Sequence, residues 1–128
     1  MVIDTSAILA ILAGEPERKA FNASIASAAS CSMSTGSYLE TAIVVESRYG
    51  FEGIRDLQLL LSTAMVQLVP FDSEQALIAR QAYARYGKGM HRVALDFGDC
   101  FAYALCKKIG EPLLYKGDDF SETDISPA

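Results

Sequence analysis

The sequence predicts a single α/β domain in which a mostly parallel sheet of four or five strands is flanked by helices. Two observations predict it. Short apolar runs alternate with longer amphipathic segments, the pattern of strand–crossover–strand units. The chain has 128 residues, 51% of them apolar and 21% charged, which suits one compact core rather than disorder. The domain is expected to span residues 1–128.

Each element has its own signal. Residues 1–4 read as a short buried strand closed by an acid. Ser6 is the expected cap of a first helix running to about Ala13, with Gly14 at its end. Pro16 suits the first turn of a helix over 16–28. A strand over 30–34 precedes a helix over 37–48, with Ser37 as its cap and Gly50 past its end. Residues 53–63 carry Ile54, Leu57, Leu60 and Leu61 along one helical face. Val66–Phe71 is the next strand, and Asp72 then caps a helix over 73–86, with Gln75 at capping-box spacing. Residues 87–95 form a loop; 97–109 form a helix with Phe97, Phe101, Leu105 and Ile109 in one stripe, closed by Gly110. Leu113–Tyr115 is the final strand.

Composition narrows the chemistry. No apolar run approaches the ~18 residues of a membrane helix, and Met1-Val2-Ile3-Asp4 has no signal-peptide character. The three scattered cysteines, Cys31, Cys100 and Cys106, read as buried free thiols in a reducing cytosol. With His91 the single histidine, multi-histidine metal sites and a histidine-pair ribonuclease mechanism within one chain are excluded. A net charge of −5 is the wrong sign for bulk phosphate binding, unless the negative charge is concentrated where cations neutralise it.

In a parallel sheet the site lies beyond the carboxyl ends of the strands. Four acidic places fall there or at a helix start: Asp4, Glu40, the pair Asp96 and Asp99, and the pair Asp118 and Asp119. Each alone is explained as a cap or a turn residue; Ser37-x-x-Glu40, for instance, has capping-box spacing. Together they would repel, by roughly 4 kcal/mol for two charges ~4 Å apart at an effective dielectric of about 20. Oxygen donors without His or Cys partners select Mg²⁺ or Mn²⁺, which suit phosphoryl chemistry.

The segments Met1-Val2-Ile3-Asp4-Thr5-Ser6-Ala7, Glu40 in its helix, Phe97-Gly98-Asp99-Cys100-Phe101-Ala102-Tyr103-Ala104-Leu105 and Leu113-Leu114-Tyr115-Lys116-Gly117-Asp118-Asp119-Phe120 resemble VapC toxins of the PIN-domain family over the whole chain. The resemblance implies a PIN-like fold and Mg²⁺- or Mn²⁺-dependent endoribonuclease activity. It also implies the toxin role in a type II VapBC pair, restrained by a VapB antitoxin, with a homodimer and a cytoplasmic location. Asp4, Glu40 and Asp99 match the family's first three acids, with Asp4 and Asp99 as metal ligands. Gly117 occupies the first position of the fourth motif, so the fourth acid is one of an adjacent pair; Asp118 is favoured over Asp119. Glu40 orients or deprotonates the attacking water, Asp118 supports a second ion or its water shell, and Ser6 and Asp96 support the site. Lys88, His91, Arg92 and Lys116 are candidate RNA contacts. The apolar faces over 16–28, 37–48 and 53–63 are either core or an antitoxin groove and dimer surface. Two rival readings remain open. One is a receiver-like phospho-signalling domain with Asp72 as acceptor, although Asp4 lacks the paired acid a receiver needs. The other is a non-catalytic PIN-like binding module.

Overall fold

A computed structural model describes residues 1–87, 89 and 94–128. The elements run β1 (Val2–Ile3), α1 (Thr5–Leu12), α2 (Arg18–Ser27), β2 (Cys31–Ser34), α3 (Thr35–Thr63), β3 (Val66–Val69), α4 (Ser73–Tyr86), α5 (Asp99–Ile109) and β4 (Leu113–Leu114). The sheet has four strands in the order β3-β2-β1-β4. All pairings are parallel, with Val2 opposite both Ser32 and Leu113.

Period-two alternation divides the core. Val2 and Leu113 face one layer with Leu95, Leu105 and Phe120. Ile3 and Leu114 face the other with Ile8, Met33, Val45 and Leu57. β1 and β4, buried throughout, read as apolar runs, whereas β2 buries Ser32 and Ser34 alongside Cys31 and Met33, and the edge strand β3 exposes Gln67 and Leu68. The expected stripe on the second half of α3 is observed: Leu57 and Leu61 are buried, and Ile54 and Leu60 pack half-buried beside them. The three cysteines are buried and free. No helix among the described residues is long and apolar enough to cross a membrane.

Several local expectations are corrected. The cap of α1 is Asp4, whose Oδ2 accepts from the Ser6 N–H at 3.0 Å, so Ser6 lies inside the helix. The cap of α3 is Ser34, whose Oγ accepts from the Gly36 N–H at 3.2 Å. Ser37 is therefore helical and buried, and the Ser37–Glu40 capping box does not form. The reason is steric: Gly36 lets α3 begin early against α5, since a Cβ there would stand 2.2 Å from the Phe101 ring. Asp72 does cap α4, accepting from the Gln75 N–H at 2.9 Å. Gln75 instead donates from Nε2 to the Pro70 carbonyl at 2.9 Å. The expected stripe on α5 is only partly buried, because Phe97 precedes the helix and is 78% exposed. The buried face of α5 is built mainly from small residues, including Cys100, Ala102, Ala104 and Cys106.

Candidate metal centre

Four parallel strands put their carboxyl ends on one edge. The chain leaves β1 for β2 and β3 on one side and returns as β4 on the other, so β1/β4 is the switch point where a crevice opens. Asp4 follows β1 directly, and Asp119 follows β4 by a short turn.

Asp4 is held by its own helix. Its Oδ2 accepts from the Ser6 N–H at 3.0 Å and from the Ser6 hydroxyl at 2.6 Å. The Ser6 Oγ in turn accepts from the Lys116 N–H at 3.0 Å, tying the turn after β4 to the end of β1. Next to it, the Thr41 hydroxyl donates to the Ser37 carbonyl at 2.7 Å and the Thr5 hydroxyl to the same carbonyl at 3.1 Å, with the two hydroxyl oxygens 3.0 Å apart. This buried relay pins the start of α1 to the first turns of α3, and so brings Glu40 toward Asp4.

Asp96 and Asp99 cap each other. The Asp99 N–H donates to Asp96 Oδ1 and the Asp96 N–H to Asp99 Oδ2, both at 2.9 Å. This is a reciprocal capping box with two acids. Each carboxylate spends one oxygen on the backbone and keeps the other. Glu40 reaches the same helix end, where a Cβ on Gly98 would stand 1.9 Å from Glu40 Oε2. Only glycine leaves room for that carboxylate.

The two acids of the fourth motif are placed differently. Asp96, Asp99 and Asp119 each offer an oxygen within 4.8 Å of the others. Both Asp118 and Asp119 are exposed, and the Asp118 carbonyl accepts from the Ser121 N–H at 3.0 Å and the Ser121 hydroxyl at 2.7 Å, turning the tail. Phe120, 2% exposed, anchors that turn against Tyr115, with ring centroids 5.1 Å apart. Sequence favours Asp118; the geometry favours Asp119.

Electrostatics report the crowding. Burial pushes Asp4 up to about 6, the Glu40 charge adds to this, and the Ser6 hydrogen bonds oppose it. Burial also holds Asp99 well above the carboxylate range, with the charges of Asp4, Asp96 and Asp119 adding and the Asp96 N–H opposing. Pairs at such distances repel by roughly 3 to 4 kcal/mol at an effective dielectric of about 20. Burial raises the Cys100 thiol to about 11, and it donates to the Asp96 carbonyl at 3.3 Å, so it is no thiolate ligand. Among the described residues the donors are carboxylate oxygens without imidazole or thiolate, a set that fits a hard divalent cation.

Of the expected RNA contacts, Lys88, His91 and Arg92 lie outside the described residues. The Lys116 ammonium is paired with Glu15 and, at 3.0 Å, with Glu17. Asp72 is tied up as the α4 cap and by an ion pair with Lys108. Sequence reasoning missed Gly98 and the Thr5–Thr41 relay; the only available signal was a glycine between two acids at a helix start.

Among the described residues, a parallel α/β sheet gathers carboxylates at its switch point, a donor set suited to a hard cation. The PIN domain family model matches residues 1–126, and the chain belongs to that family. It is 55% identical over 126 residues to a Ribonuclease VapC of Mycolicibacterium smegmatis, covering 98% of both chains. It is 52% identical over 126 residues to Ribonuclease VapC30 of Mycobacterium tuberculosis, covering 98% of this chain and 96% of that one. Among solved structures it resembles Mycobacterium tuberculosis VapC20, a Sarcin-Ricin loop cleaving toxin, with a TM-score of 0.80 at 18% identity over 99% of this chain and 97% of that one. Rickettsia felis VapBC2 bound to a DNA fragment from its promoter aligns with a TM-score of 0.76 at 11% identity, over 98% and 94% of the two chains. The family match sets the receiver reading aside.

Proposed function

We propose that the protein is a divalent-metal-dependent endoribonuclease, the toxin of a type II toxin–antitoxin pair. One observation carries this: Asp119 offers an oxygen within 4.8 Å of Asp96 and Asp99 from twenty residues away, and the charge of Asp4 at the end of β1 acts on Asp99, in a chain 55% identical to a named ribonuclease. Asp4, Asp99 and Asp119 would hold Mg²⁺ or Mn²⁺. When bound, the cation lowers the pKa of water and neutralises charge developing on the phosphate. Glu40, braced over Gly98, orients or deprotonates the attacking water. Asp96 fixes Asp99 through their mutual capping, and Ser6 fixes Asp4. Lys116, released from Glu15 and Glu17, is available to a phosphate at the rim.

The partner in this reading is a VapB-type antitoxin, as in the VapBC complex above, and the chain works as a homodimer in the cytoplasm. Exposed Leu39, Ile43, Phe51 and Leu59 on α3 support an apolar docking face. The intact acid set speaks against a non-catalytic module. Purified protein should cleave RNA with Mg²⁺ or Mn²⁺, lose activity with chelator, and lose it in Asp4→Asn and Asp99→Asn. Cleavage indifferent to chelator and to both substitutions would overturn the proposal.

A further inference from the structure

An apolar cleft of about 290 Å³ is lined by Phe71, Arg80, Tyr83, Phe97, Cys100 and Phe101, of which Phe97 and Cys100 adjoin Asp96 and Asp99 in the chain. That is the low end of small-ligand cavities, room for one planar ring system. Phe97 sits in the turn between Asp96 and Asp99, yet is 78% exposed; Tyr83 is 42% exposed. Burying a Phe side chain contributes about 1.5 to 3 kcal/mol, so an aromatic left mostly exposed at this position forgoes most of that gain. Its ring nonetheless packs on a second ring. Phe101 meets it edge-on at 5.2 Å and 82°, and Phe101 is itself braced by Phe71 at 4.7 Å and by Gly36 beneath it. An exposed ring met edge-on by a second ring, an arginine lining the same cleft and a position in the turn between Asp96 and Asp99 are the parts of a base-stacking platform.

We propose that Phe97, with Tyr83 and Arg80, forms a subsite that stacks one unpaired base of the RNA next to the phosphate held at the carboxylates. This rests on the nuclease reading and adds a substrate requirement to it. Bases within a duplex present no free face, so the subsite selects strands with a splayed base. A helical protein partner is a poorer fit, because it needs a row of anchors one turn apart, and this is a single cleft with a cation in its wall.

The test uses the full chain carrying Asp99→Asn and a fluorescein-labelled single-stranded RNA, read by anisotropy. Phe97→Leu should weaken binding about five- to hundredfold, and Phe97→Tyr should restore it to within about twofold. The same strand annealed into a duplex should be insensitive to Phe97. Phe97→Leu should leave the salt dependence unchanged, and Arg80→Ala should reduce the salt slope by about one. In the otherwise wild-type enzyme, the Phe97→Leu loss should appear in KM rather than kcat. Unchanged RNA affinity and KM in Phe97→Leu, in an enzyme that still cleaves with Mg²⁺, would overturn the subsite and leave the nuclease standing. Unchanged RNA affinity with release of a co-purified protein partner would make the cleft a protein dock and also overturn it. If wild type cleaves no RNA with either metal, the nuclease reading fails, and the anisotropy series alone still decides whether Phe97 stacks a base.

Discussion

Asp4 serves the fold and the site with one carboxylate. Its Oδ2 caps α1 through Ser6, while its charge is 3% exposed and faces that of Glu40. Asn caps a helix as well as Asp does but carries no charge. Asp4→Asn should therefore abolish cleavage while stabilising the metal-free protein at pH 8 by on the order of 1 to 3 kcal/mol, read as a higher urea midpoint. A destabilised variant would show that the crowding is relieved some other way. Gly98 is the complementary case. Gly98→Ala must displace Glu40, because its Cβ would fall 1.9 Å from Oε2. The expected result is a kcat about a hundredfold lower, the scale of a misplaced catalytic group, with far-ultraviolet circular dichroism unchanged.

At the scale of elements, the most informative position is Gly50. It interrupts α3 at φ 66°, ψ −152°, a conformation essentially reserved for glycine. Gly→Ala inside a helix ordinarily stabilises by up to about 1 kcal/mol. Here the sign reverses: nothing lies within 4 Å of a Cβ at Gly50, so the cost is backbone strain alone, roughly 1 to 3 kcal/mol. Chemical denaturation of Gly50→Ala would show it, and an unchanged or raised midpoint would mean that the two halves of α3 can straighten into one helix. The bend lets Val45 from the first half and Leu57 from the second pack into one core cluster.

For the molecule as a whole, the acidic crevice couples stability to pH and to metal. Asp4 and Asp99 both have native pKa values above their unfolded ones, so the folded chain holds protons that the unfolded chain releases. Their contribution is complete below about pH 4. It declines as pH rises through about 6 for Asp4, and higher still for Asp99. Thermal scans of metal-free protein should show Tm falling across this window. Excess Mg²⁺ or Mn²⁺ should restore Tm at pH 8 by several degrees and do little near pH 4, where the ligands are protonated. A metal-induced rise in Tm that is equal at both pH values would argue against carboxylate binding.

Much of this architecture was legible in the sequence because it depends on local or periodic signals. Short runs between amphipathic segments marked the strands, Asp72 marked its cap, and Leu57 with Leu61 marked a buried face. Asp4, Glu40 and Asp99 stood out by type and place. Tertiary structure decided what local rules could not. Ser34 rather than Ser37 caps α3 because Gly36 permits close approach to Phe101. Asp119 rather than Asp118 joins the acids because Phe120 is buried and the Ser121 turn sets the chain's direction. Gly98 mattered because Glu40 arrives from an element nearly sixty residues earlier in the chain. Sequence specifies which groups are available; which of them meet depends on packing between segments that no local pattern encodes.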